Sequence, residues 1–104
     1  MSLIIENFIN GSFKAADSYI DSYEPATGKV LALVPNSGNI EVDEAVRAAK
    51  YAFHNWSSTS SKTRASYLFR IADILESRRE EFARYESRDQ GKPFWVANTV
   101  DIPR

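Results

Sequence analysis

The only histidine in the chain, His54, is the first place to look for chemistry. A catalytic imidazole needs a nucleophile to deprotonate and a carboxylate to orient it. His54 instead falls near the end of an amphipathic stretch, one residue before Asn55 and two before Trp56. A surface position in the last turn of a helix accounts for it without chemistry. Glu80 and Glu81 are adjacent, and neighbouring helical residues point about 100° apart, so they do not converge on one substrate atom. They alternate with Arg78, Arg79 and Arg84, the pattern of a solvated, ion-paired helix face. Residues 62–92 carry eight basic groups (Lys62, Arg64, Arg70, Arg78, Arg79, Arg84, Arg88, Lys92) against six acidic ones (Asp73, Glu76, Glu80, Glu81, Glu86, Asp89). A surplus of two is too small to drive counterion release from a nucleic acid. Gly91-Lys92-Pro93 lacks both the upstream glycine and the following Ser/Thr of a phosphate loop. The glycines stand at 11, 28, 38 and 91, so no dinucleotide-type glycine cluster forms. With no cysteine, the chain has no thiolate nucleophile, disulfide or thiolate metal site.

The elements that would position such groups fall in two blocks. The first third reads as strands. Residues 3–9 form an apolar, β-branched run. Asn10-Gly11 supplies two positive-φ positions for a hairpin turn, and residues 12–14 return. Residues 19–23 alternate in polarity. Glu24-Pro25-Ala26-Thr27-Gly28 is a turn, and residues 30–34 are a nearly continuous apolar strand that wants neighbours on both sides. The remainder reads as helices. Gly38 or Asn39 caps the first, with Val42, Ala45, Val46, Ala49, Phe53 and Trp56 on one stripe. Ser60 caps the second, which carries Leu68, Ile71, Ala72 and Leu75 on one face and continues through Phe82 and Tyr85. A kink near Ser77 would divide it. Gly91 and Pro93 end it.

At 104 residues the chain makes one domain at most. Its 43% hydrophobic and 26% charged composition is that of a globular protein with a real core, and a net charge of −1 gives no electrostatic reason to bind nucleic acid. No secretory pattern opens it and no run has the apolar length of a membrane span, so a cytoplasmic protein without a membrane partner is expected.

The ordered set of segments resembles the N-terminal portion of the NAD(P)-dependent aldehyde dehydrogenase superfamily. NFINGSF resembles its opening hairpin, YEPATGKVLALVP its strand pair, and VDEAVRAAKYAFHNW its first long helix. TRASYLFRIADILESRREEFARYESRDQGKP resembles the second helical stretch, and VDIPR the start of the next helix. YIDSY, PNSG, ESRDQGK and DIPR are most similar to the aminomuconate-semialdehyde dehydrogenase branch. Departures are local: Glu24 where the family has Asn, Thr63 where a Glu would complete a capping box with Ser60, Phe69 at an often basic position, and the bulky Phe94-Trp95.

The resemblance implies an α+β segment, N-terminal β-hairpins followed by amphipathic helices, belonging to a larger α/β dinucleotide-binding dehydrogenase fold. Residues 1–104 would be the N-terminal segment of its cofactor-binding domain, as a fragment or short form without the catalytic domain. The parent reaction would be oxidation of an aldehyde such as aminomuconate semialdehyde, with NAD as hydride acceptor. The cysteine nucleophile, the glutamate base and the cofactor turns would lie outside the matched part. The chain alone would then bind no cofactor and be inactive, with the rest of the dehydrogenase fold or a homologous subunit as partner. A non-catalytic interaction module built on the helical stripes is the alternative. The resemblance also implies a structural cation held by backbone carbonyls of Ser22 and Tyr23 and by the Asp101 carboxylate. The preferred reading of Asp101 is simpler, the cap of a helix starting at Ile102-Pro103, and the cap and the ion are not exclusive.

Overall fold

The computed structural model describes residues 2–103, which divide into two compact units. The first comprises residues 1–22 and 30–59, the second residues 23–29 and 60–104.

In the first unit, β1 (Leu3–Ile4), β5 (Val30–Pro35) and β4 (Tyr19–Tyr23) lie in that order in one sheet. β5 is the central strand, as its continuous apolar run demands, and its Ala32 is buried. β1 runs parallel to it, Leu3 opposite Ala32 and Ile4 opposite Leu33. The apolar run at 3–9 is therefore not one strand. After Ile4 the chain leaves this sheet and starts another, in which β2 (Asn7–Ile9) pairs antiparallel with β3 (Ser12–Lys14). The turn between them has Asn10 at φ 52° and Gly11 at φ 78°, the twist that a two-residue hairpin needs. Phe8 and Phe13 face each other across the hairpin with ring centroids 5.0 Å apart. α1 (Asn39–Trp56) follows β5. Its N-cap is Gly38, whose N–H donates to Glu41 Oε2 at 2.8 Å, so a carboxylate neutralises the start of the helix. Asn7 Nδ2 to Ser37 Oγ at 2.7 Å and a Lys14–Glu44 ion pair tie the hairpin strands to the start of α1.

In the second unit, α2 (Ser61–Ser77) is capped by Ser60, whose Oγ accepts from the Thr63 N–H at 3.1 Å. It breaks at Arg78, φ −113° and ψ 21°, where one N–H is shared between the carbonyls of Ile74 and Leu75. α3 (Arg79–Gln90) follows and ends on Gly91 in the left-handed conformation. The expectation of a new helix at 102–103 is corrected. The chain is helical from Phe94, because the Pro93 carbonyl already accepts from Val96 and Ala97. α4 (Phe94–Val96) runs into a π-helical stretch at Ala97–Asp101, closed by an Ile102 N–H to Ala97 carbonyl bond of 3.0 Å. Among the described residues of this unit the buried ones are two alanines, Ala83 on α3 and Ala97 in the π-helical stretch, where the absence of a longer side chain lets elements approach closely.

Both long helices have the stripes read from sequence, and both stripes face outward. Val42, Val46, Phe53 and Trp56 of α1 are exposed, as are Leu68, Ile71 and Leu75 of α2.

Candidate functional site

Several polar groups converge at the end of α3, in the second unit. Gly91 turns the chain there, and Lys92 follows with its ammonium 2.8 Å from Asp101 Oδ2 and 3.0 Å from Glu86 Oε1. The Lys92 carbonyl accepts from Ser87 Oγ at 2.7 Å. One helical turn earlier, Arg88 Nε donates to Glu24 Oε1 at 2.8 Å, and Thr27 Oγ1 donates to the other oxygen of Glu24 at 2.9 Å. The Glu24 carbonyl closes its own turn by accepting from Thr27 and Gly28. Pro25 then packs against Gly91 so closely that a Cβ on Gly91 would lie 3.0 Å from the Pro25 Cβ.

The electrostatics follow from these contacts. The hydrogen bonds to Asp101 and then to Glu86 raise the Lys92 ammonium above the ordinary lysine value. The bonds from Arg88 and then Thr27 hold the Glu24 carboxyl below the ordinary glutamate value. A lysine held more firmly protonated is a poor nucleophile and a poor base. This cluster is built as a clasp. It fastens the 24–28 turn and the 94–101 helical stretch to the end of α3.

The sequence candidates fall as follows. His54 lies in the exposed last turn of α1. Glu81 is bidentate to Arg78, at 2.7 and 2.8 Å, which lowers the glutamate and raises the arginine. Glu80 faces Arg84 at 3.8 Å. A shallow groove of about 450 Å³ at the α2–α3 break is lined by residues 76–81, whose charges already pair with one another or along α3. Ser22 and Tyr23 close β4, in the first and second units respectively. Asp101 lies in the second unit with Oδ2 engaged by Lys92, so a cation there would share its carboxylate with an ammonium. No group of three His, Cys, Asp or Glu side chains among the described residues is placed to hold a metal ion, and no helix among them is long and apolar enough to cross a membrane. The strand-to-helix turn at 35–38 has a single glycine, and the Gly38 N–H there donates to Glu41 Oε2. The clasp itself was not legible in advance. Arg88 and Glu24 are 64 residues apart, and Lys92 and Asp101 nine, outside any helical spacing.

A family profile described as "Aldehyde dehydrogenase family" matches residues 13–104, most of the sequence. The chain belongs to this family. Among curated relatives it is similar to the human 2-aminomuconic semialdehyde dehydrogenase, 54% identical over 98% of this chain and 21% of that protein. It is also similar to a Pseudomonas 2-hydroxymuconic semialdehyde dehydrogenase, 42% identical over 96% of this chain and 21% of that protein. Among solved structures, the NAD+ complex of an aldehyde dehydrogenase from Bacillus cereus superposes with a TM-score of 0.90 at 40% identity, covering 94% of this chain and 21% of that one. The chain thus spans about a fifth of the length of these relatives. Its α+β arrangement of strands followed by helices is the one these family structures share.

Proposed function

We propose that this chain is the N-terminal segment of the cofactor-binding domain of an NAD-dependent dehydrogenase that oxidises a muconate-type semialdehyde to its acid, aminomuconate semialdehyde being the leading candidate. In this reading the segment is architectural. It supplies strands and helices that the remainder of the dehydrogenase covers, and by itself it neither binds NAD nor turns over an aldehyde. The observation that carries the reading is 54% identity along 98% of the chain to a protein named for that substrate. The chemistry present agrees with it. There is no cysteine to attack an aldehyde, and the charged side chains at the end of α3 are committed to one another.

A chimera tests it. This chain replaces the matching fifth of the human relative, and NADH formation is followed with aminomuconate semialdehyde. Activity within about tenfold of the parent, a loss of under ~1.4 kcal/mol in the barrier, is expected. A soluble chimera that no longer binds NAD or oxidises the aldehyde would overturn the reading that this segment can take the place of the family's N-terminal architecture.

A further inference from the structure

We propose that Asn10-Gly11 is a site of self-modification, where the chain converts Asn10 into aspartate and isoaspartate, and that the isoaspartate form releases the β2–β3 hairpin. The only co-reactant is water. The Gly11 amide nitrogen gives up its proton and attacks the side-chain carbonyl carbon of Asn10, Cγ. A C–N bond forms, the Cγ–Nδ2 bond breaks, and ammonia leaves behind a cyclic imide. Water then opens the ring at either carbonyl. One opening leaves an ordinary aspartate; the other leaves isoaspartate, in which the backbone runs through Cγ. No electrons are exchanged, and one water replaces one ammonia.

The residues around the bond favour the attack. A side chain on the following residue crowds the approach of its nitrogen to Cγ, and glycine has none. Nothing lies within 4 Å of the place that a Gly11 Cβ would take, and Asn10 and Gly11 are both exposed. Among the described residues no hydrogen bond engages the Gly11 N–H, since Ile9 and Ser12 form the closing pair of the hairpin. The other asparagines precede Phe8, Ser37, Ile40, Trp56 and Thr99, each with a side chain, and Asn39, Asn55 and Asn98 are also held in helices. The fold leaves the site free to react. β2 and β3 form a sheet of their own with three residue pairs. A two-stranded sheet of that size is marginal and opens far faster than an amide is lost, so Asn10 samples the rotation that attack requires. The two products differ in consequence. Asn10 is at φ 52°, a conformation that aspartate also tolerates, so the aspartate product keeps the turn. Isoaspartate adds a backbone atom to a two-residue turn, and Ile9 and Ser12 can no longer close in register. The Phe8–Phe13 contact is lost with them.

The test is peptide mapping by mass spectrometry of the whole chain, incubated in mildly alkaline buffer with and without urea. The peptide that holds Asn10 should exchange NH2 for OH and split into two chromatographically distinct products, about tenfold or more faster than at any other asparagine. The rate in native buffer should lie within about tenfold of that in urea. Gly11→Ala should slow the conversion at least tenfold, and the comparison in urea keeps that result independent of the strain alanine meets at φ 78°. Asn10→Asp should keep the ring-to-ring nuclear Overhauser contact of Phe8 and Phe13, and the purified isoaspartate form should lose it. Conversion less than tenfold faster than at Asn36, conversion indifferent to Gly11→Ala in urea, or a native rate more than tenfold below the rate in urea overturns the proposal. An isoaspartate form that keeps the ring contact overturns the release of the hairpin.

Discussion

Replacing Gly91 by Ala should open the end of α3. Two costs add. Gly91 has φ 74°, where a side chain costs about 1–2 kcal/mol. The new Cβ would also lie 3.0 Å from Pro25 Cβ and 3.3 Å from Pro25 Cγ, atoms of a stiff ring that gives way poorly. Overpacking of that kind costs about 1–3 kcal/mol. The sum, about 2–5 kcal/mol, is read best at the Gly91 amide, which donates to the Ser87 carbonyl at 2.9 Å. Its hydrogen exchange should accelerate by about 30- to 5,000-fold, up to the full loss of whatever protection it has. Gly28 is the internal control. It has nearly the same φ, 67°, but nothing within 4 Å of its would-be Cβ, so Gly28→Ala carries the backbone cost alone, about 1–2 kcal/mol. Pro25→Gly, which removes the opposing atoms, should return G91A to that smaller figure. Equal effects for the two alanine variants, or an unchanged Gly91 amide, would refute the close approach of the 24–28 turn to the end of α3.

Three further outcomes are expected. Glu24 is depressed by Arg88, so its contribution is complete above its unfolded value, about pH 4.3, and is lost as pH falls through the lower folded value. Lys92 is raised, so its contribution is complete below about pH 10.4 and is lost as pH climbs through the higher folded value. NMR titration of the Glu24 carboxyl should therefore show an acid-shifted midpoint that moves back toward the ordinary range in Arg88→Met, the Thr27 bond holding part of the shift. Asn98 Oδ1 is buried without a hydrogen-bond donor, so Asn98→Leu, similar in shape, should raise stability by about 1–3 kcal/mol, measured as the urea midpoint of helix loss. The exposed stripes of α1 and α2 should bind an anilinonaphthalene dye at neutral pH, and I71E/L75E should lower the fluorescence.

Features decided within a few residues were readable in the sequence. Asn10-Gly11, the Ser60 cap and the Gly91 terminator each act through their own backbone, and each is where its residue type requires. The stripes on α1 and α2 were readable for the same reason, since helical periodicity depends on spacing alone. Features decided by distant pairing were not. Nothing in residues 3–9 marks the point where the chain leaves β5 to make its own hairpin, because Leu3 and Ile4 are assigned by Ala32 and Leu33, about thirty residues away. The helical start at Phe94 was hidden by a bulky, β-branched run that reads equally well as extended chain, and by Pro103, which drew the expected start toward itself. The Lys92 clasp has no spacing rule at all. Lys92 lies beyond the helix that holds Glu86, and Asp101 reaches it from the widened π-helical turn.

The measurement that bears most directly on the whole account is a calorimetric titration of the isolated chain with NAD+. An architectural segment whose Gly38 N–H is engaged by Glu41 should give only heats of dilution up to millimolar cofactor. Saturable binding at micromolar concentration would contradict the account, because it would mean that these residues build a nucleotide site of their own.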